Sequence, residues 1–163
     1  MNRIKRLLSY LVPCTLCLLT CALFLVSCTT IDLYEKSVAI PEHKWKNSFK
    51  PSFTFTIKDT SSPYQIFFIL RHNDKYNYSN IYINLYATLP GKDTAIQIKR
   101  DLTLATNDKG WLGEGMDDIY EHRIKLGDPQ PLKAGTYTFT IEQIMREDPL
   151  ENVMDAGLRI EKK

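Results

Sequence analysis

From residue 52 onward the chain alternates apolar and polar side chains with a period of two, and that pattern leaves few folds open to it. Phe53, Phe55 and Ile57 alternate with Ser52, Thr54, Thr56 and Lys58. Ile81, Ile83, Leu85 and Ala87 alternate with Tyr82, Asn84, Tyr86 and Thr88, and Tyr137, Phe139 and Ile141 with Thr136, Thr138 and Thr140. Successive side chains of a strand point to opposite faces, so each segment reads as a strand with one face buried and one wet. Residues 64–71 run almost continuously apolar, as a central strand covered on both faces does. Ile96, Ile98, Leu102 and Leu104 extend the alternation, with Arg100 as the exception that needs a partner or a bulge. Residues 117–126 read as a strand, with a short helix as the alternative, and Met154, Ala156, Leu158 and Ile160 mark the last strand.

Turn chemistry separates these segments. Asp59-Thr60-Ser61-Ser62-Pro63, Pro90-Gly91-Lys92-Asp93, Asn107-Asp108-Lys109-Gly110, the stretch from Gly127 to Gly135 and the charged stretch from Arg146 to Asn152 are rich in turn formers. Seven or eight short strands, without helices to carry parallel crossovers, predict an all-β fold: an antiparallel β-sandwich, with a closed barrel as the alternative. Periodicity assigns faces and not neighbours, so strand order is left open.

The N-terminus has a different character. Arg3, Lys5 and Arg6 precede an apolar run from Leu7 to Leu25, the charged and apolar regions of an export signal. The run ends in Leu25-Val26-Ser27-Cys28, which looks like a bacterial lipobox. The expected chemistry is transfer of a diacylglycerol to the Cys28 thiol, cleavage before Cys28, and acylation of the new amine. The alternative is an uncleaved membrane anchor, since the run is long enough to span a bilayer; Pro13 and three cysteines within it speak for cleavage. One acyl chain holds a protein only marginally, whereas two or three hold it stably. The expected organisation is a signal peptide over 1–27, a lipidated tether and first irregular strand over 28–50, and a β-sandwich over 51–163. Trp45, between Lys44 and Lys46, is expected to pack on the domain edge.

Cleavage removes Cys14, Cys17 and Cys21, so the Cys14-x-x-Cys17 spacing is not a redox or zinc motif and the exported domain holds no disulfide. It also removes three of the 21 basic residues, and the remainder nearly balance the 19 acidic ones. No basic patch points to nucleic acid.

Few residues suggest chemistry. Glu114, Asp117, Asp118 and Glu121 are the densest acidic cluster. Paired carboxylates serve glycoside hydrolysis, and clustered ones bind calcium, but the spacing is not that of an EF-hand loop and a solvated loop explains it as well. His43, His72 and His122 form no metal-ligand spacing, and scattered histidines are structural or solvated. No nucleophile elbow or phosphate loop is present. No catalytic residue, metal ligand or cofactor is therefore assigned beyond the covalent lipid on Cys28. The aromatics are the better lead. Tyr76, Tyr78, Tyr82 and Tyr86 crowd one loop and strand, and Trp111 stands in a glycine-flanked loop. Tyrosine and tryptophan are the side chains that anchor protein partners or stack on sugars.

Several blocks, in order, carry a resemblance. They are the lipobox at Cys28, Asp59-Thr60-Ser61-Ser62-Pro63-Tyr64, the run from Leu70 to Asn80, Gly110-Trp111-Leu112-Gly113-Glu114-Gly115, the run from Gly135 to Arg146 and the run from Asp155 to Lys162. Together the chain resembles the gliding motility-associated lipoprotein GldH family of Bacteroidota. The resemblance implies a non-catalytic envelope lipoprotein needed for surface gliding, with protein partners in the gliding and type IX secretion machinery. Thr29-Thr30-Ile31-Asp32, with one acidic residue after the lipid site, lacks the acidic stretch common on surface-exposed lipoproteins of these bacteria. An outer-membrane lipoprotein facing the periplasm is therefore expected. The rival readings are an envelope glycan-binding β-sandwich module and, behind it, a carbohydrate-active enzyme using the residue 114–121 carboxylates.

Overall fold

The computed structural model describes residues 33–163. Cys28, the signal segment and the start of the tether lie outside the described residues. Fourteen strands follow in chain order: β1 (Leu33–Ala39), β2 (Lys44–Trp45), β3 (Ser52–Ile57), β4 (Pro63–Asn73), β5 (Asn80–Thr88), β6 (Ala95–Thr103), β7 (Ala105–Thr106), β8 (Gly110–Trp111), β9 (Glu114–Met116), β10 (Ile119–Lys125), β11 (Gln130–Pro131), β12 (Gly135–Gln143), β13 (Leu150–Glu151) and β14 (Val153–Lys162). Eight are six residues or longer, as the alternation predicts. The 117–126 segment is a strand and not a helix. Among the described residues the one helical element is a 3₁₀ turn, Pro41–His43.

The long strands pair into two sheets with separate edges, which makes a sandwich and rules out the closed barrel. One sheet runs β1-β14-β4-β10-β9, with β11 also on β4; the other runs β3-β12-β5-β6. All pairs are antiparallel. β4 is central, between β14 and β10, in keeping with its apolar run. Its outward-facing Ile69 is 1% exposed and lies against Gly157 of β14. A Cβ on Gly157 would meet Ser37 Oγ, the Lys36 carbonyl oxygen at 2.9 Å and Ile69 Cβ at 3.2 Å. Glycine there lets β1, β14 and β4 close up.

The core is the set of inward positions the period predicts. Phe53, Phe55, Ile57, Ile81, Ile83, Leu85, Tyr137, Phe139 and Ile141 of one sheet meet Phe68, Leu70, Ala156, Leu158 and Ile160 of the other, all 6% exposed or less. Each large aliphatic or phenyl group buried this way contributes about 1.5–3 kcal/mol.

Three positions depart from the sequence reading. Trp45 is fully buried rather than at an edge, because its indole Nε1–H donates to the Phe49 carbonyl at 2.8 Å and the short β2–β13 pair folds it under the sandwich. β1 is a regular strand paired to β14 over seven residues, so the folded unit takes in residues well before 51. Ile96 is 53% exposed, because β6 is the outer strand of its sheet and of its residues only Leu102, toward its far end, is buried.

Candidate functional site

The aromatic residues divide between two places. At one end of the sandwich, the turn after β4 and the β8 loop bring Tyr76, Tyr78 and Trp111 together around two histidines. His72 ends the inward row of β4 (Phe68, Leu70, His72) and His122 lies on the inward row of β10 beside it. The two are 0% and 2% exposed. Their Nε2 atoms lie 2.9 Å apart. His72 Nδ1 is 2.7 Å from the Asn73 carbonyl oxygen, so it carries the proton and donates. That leaves His72 Nε2 as acceptor and assigns the shared proton to His122 Nε2.

Rings enclose this pair. Ring centroids of Trp111, Tyr76 and Tyr120 lie 4.5, 4.9 and 5.7 Å from that of His72. Burial lowers the His72 pKa. His122 is pushed down to about 4, first by burial and then by repulsion from His72. Both imidazoles are therefore neutral at neutral pH. Gly113 sits over His122, where a Cβ would approach its Cδ2 to 3.0 Å and the Glu121 carbonyl oxygen to 2.6 Å. Sequence spacing missed this pair, because the two histidines stand fifty residues apart. The available signal was that each occupies an inward-parity position of its strand.

Within the cluster, burial separates supports from surfaces. Tyr76 is 4% exposed, and its hydroxyl donates to the Asn80 carbonyl at 3.1 Å; it is a support. Tyr78 and Trp111 are half-buried, with Tyr78 edge-on to Tyr76 at 5.9 Å. The Tyr78 hydroxyl is hydrogen-bonded to Glu147, which raises its pKa. The neighbouring Leu112 is exposed.

Tyr82 and Tyr86 lie elsewhere, on the outer face of the four-stranded sheet. The Tyr86 hydroxyl donates to Glu142 Oε2 at 2.6 Å, Asn84 Nδ2 donates to the same oxygen at 3.0 Å, and Lys50 Nζ is 2.6 Å from Oε1. Partial burial pushes the Glu142 carboxyl up, but Lys50, Tyr86 and Asn84 outweigh it and bring the pKa down to about 2. Lys50 also stands 5.6 Å over the Tyr86 ring, and Lys99 5.7 Å over that of Tyr82. Beside them run three cross-strand hydroxyl pairs, Ser52–Thr140, Thr54–Thr138 and Thr56–Thr136, at 3.0, 3.1 and 3.3 Å.

The acidic cluster forms the β9–β10 hairpin, with Asp117 at a φ of 56° in its turn. Arginines are threaded through it. Arg123 lies 2.7 Å from Glu121 and 4.0 Å from Glu114, and Arg71, across from Glu121, lies 3.2 Å from Asp155. Glu114 and Glu121, which share the Arg123 guanidinium, are poorly placed to gather a cation. Among the described residues no three His, Cys, Asp or Glu side chains converge as a metal site.

The described residues thus form a β-sandwich with a half-buried aromatic cluster at one end and ion-paired or hydroxyl-paired outer faces. The model of the GldH lipoprotein family matches residues 32–160, nearly the whole folded domain, and the chain belongs to that family. The chain is 29% identical over 145 residues to the "Gliding motility lipoprotein GldH homolog" of Christiangramia forsetii, covering 83% of this chain and 87% of that one. It is 26% identical over 153 residues to the "Gliding motility lipoprotein GldH" of Flavobacterium johnsoniae, covering 90% and 94%. Among solved structures, a carbohydrate-binding module specific for non-crystalline cellulose aligns over 78% of this chain and 70% of that one. The identity there is 12% and the TM-score 0.40, a likeness too loose to bear on function.

Proposed function

We propose that this protein is a non-catalytic lipoprotein of the gliding apparatus, held to the outer membrane by lipid on Cys28, facing the periplasm and working with the type IX secretion machinery. The family match across residues 32–160 carries the reading, because it covers the domain and not a short motif. The aromatic end of the sandwich supports a binding role. Tyr78, Trp111 and Leu112 offer an amphipathic surface held rigid from beneath by Tyr76 and the histidine pair. The glycan-binding alternative draws on Tyr82, Tyr86 and the hydroxyl rows. A sugar stacks on a bare ring face, whereas lysine ammonium groups stand over both tyrosines; a protein partner is favoured.

The test replaces the chromosomal copy with Cys28→Ala and, separately, with a Tyr78→Ala/Trp111→Ala pair. The reading expects the first protein to keep its apolar leader, to be lost from the outer-membrane fraction and to stay with the inner membrane, and the cells to stop spreading. It expects the second to stay membrane-bound and folded but to lose cross-links to motility or secretion components. Full spreading by both strains would sink the proposal.

A further inference from the structure

β6 is a strand with one side unused. It is the outer strand of its sheet and pairs with β5 over nine residues, without a bulge, from Asn80↔Thr103 to Thr88↔Ala95. The direction of its backbone groups follows from two hydrogen bonds. The Leu104 N–H donates to the opposed Ser79 carbonyl, which places Leu102, Arg100, Ile98 and Ile96 in the hydrogen-bonded pairs with β5. The Ile144 N–H donates to the Tyr82 carbonyl, so the even residues of β5 turn to β12 and its odd residues turn to β6, in agreement. The N–H and C=O groups of Ala95, Gln97, Lys99, Asp101 and Thr103 therefore point out of the sheet.

Proteins blunt such edges with short strands, proline, bulges or charge. The other edge of this sheet, β3, has six residues and follows Pro51, and the six-stranded sheet ends on one side in the three-residue β9. β6 has nine residues and no proline. On its inward face Ile96 is 53% exposed and Ile98 half-buried. Its charge is cationic by one, with Lys99 and Arg100 against Asp101. Asp101 is engaged by Asn80 Nδ2 at 2.7 Å, Lys99 reaches only the Tyr82 ring, and Arg100 Nη1 donates to the Lys99 carbonyl at 3.1 Å, which brings the guanidinium to the open edge.

We infer that β6 is a strand-addition site for an extended segment of a partner protein in which apolar and acidic side chains alternate. Apolar residues of the added strand cover Ile96 and Ile98, and carboxylates on its other face meet Lys99, with Arg100 close by. Main-chain pairing supplies attachment and the alternating side chains supply selection. A second copy is the weaker occupant: pairing β6 with itself about its centre sets Lys99 against Lys99, and like charges directly opposite destabilise a sheet. The inference takes from the proposed function only that the partner is a protein.

The experiment uses the full chain in detergent and two capped nine-residue peptides, one alternating valine with glutamate and one alternating valine with lysine. Hydrogen exchange is followed across residues 95–103. The glutamate peptide is expected to slow exchange of the Gln97, Lys99 and Asp101 amides and to bind about tenfold more tightly than the lysine peptide. Lys99→Pro removes an outward N–H without touching a β5 hydrogen bond and is expected to abolish the protection; Gln97→Pro repeats the test should the first variant misfold. Four results overturn the inference: equal protection by both peptides, protection at β1 or β3 instead, full protection in a folded proline variant, or protection without peptide that grows with protein concentration, which assigns the edge to a second copy. The Cys28→Ala and aromatic-pair strains report on the proposed function independently of this result.

Discussion

The two ends of the sandwich solve one problem with different chemistry. β4 runs from Tyr64 at one end to His72 near the other. At the Tyr64 end the gap between the sheets is filled by rings: Phe55 stacks on Tyr137 at 5.3 Å, meets Phe139 edge-on at 5.4 Å and packs against Tyr34 at 5.5 Å. At the His72 end a neutral imidazole pair takes the place of those rings, enclosed by Trp111, Tyr76 and Tyr120. Both fill space, but only the second holds groups that can take up a proton in mildly acid solution. The difference teaches that closing a sandwich needs volume, while the polarity of what fills it decides how the closure responds to its surroundings.

The contrast can be broken at several points. Phe55→Ala should cost the most, about 3–5 kcal/mol, with the loss the same at pH 7 and pH 5; chemical denaturation at the two pH values measures it. The unmodified protein should respond to acid through its other end. A histidine whose folded pKa lies below the ordinary 6.5 takes its proton more readily in the unfolded chain, so the pair's contribution is complete above about 6.5 and declines as pH falls toward about 4. The denaturation midpoint should drop across that window, and a flat profile would show that the imidazoles stay neutral or are not coupled to folding. His122→Gln keeps an N–H donor toward His72 and cannot titrate there. It should cost about 1–2 kcal/mol at pH 7 and reduce the acid decline to the part that buried His72 contributes. The smallest effect belongs to the outer face, where Arg159 joins Glu35 and Glu161. Arg159→Ala should lose about 1 kcal/mol or less, and the loss should shrink further in high salt.

The same contrast marks what the sequence made legible. The phenylalanine-tyrosine end was readable, because Phe53, Phe55, Ile57, Tyr137, Phe139 and Ile141 keep strict alternation in strands paired along their length. Alternation also placed Tyr82 and Tyr86 on a wet face. It could not place Trp45, whose burial depends on a two-residue pairing with Leu150–Glu151 too short to leave a period. It put Ile96 inward, correctly as to side, but whether an inward residue is covered depends on how far the facing sheet extends. The imidazole pair was hidden for a related reason: register between β4 and β10 brings His72 and His122 together, and register is set by pairing that a single sequence does not display. The four tyrosines that crowd one loop and strand of the sequence lie in two places, because the turn after Asn73 folds Tyr76 and Tyr78 over the end of the sandwich while β5 carries Tyr82 and Tyr86 along its flank.

The pairing of β1 with β14 has a mechanical side. β1 starts at Leu33, opposite Glu161, and runs to Ala39, opposite Asp155, toward the end where the aromatic cluster sits. A tension applied between Leu33 and that far end would act along the strand axes. All seven residue pairs of the β1–β14 ladder would then be loaded in shear together, instead of parting one after another as they would if peeled from an end. Ser37, opposite Gly157, lies near the middle of that ladder, and Ile69 of β4 packs on the same glycine. The first strand of this domain is placed to transmit a pull to the core rather than to come away under it.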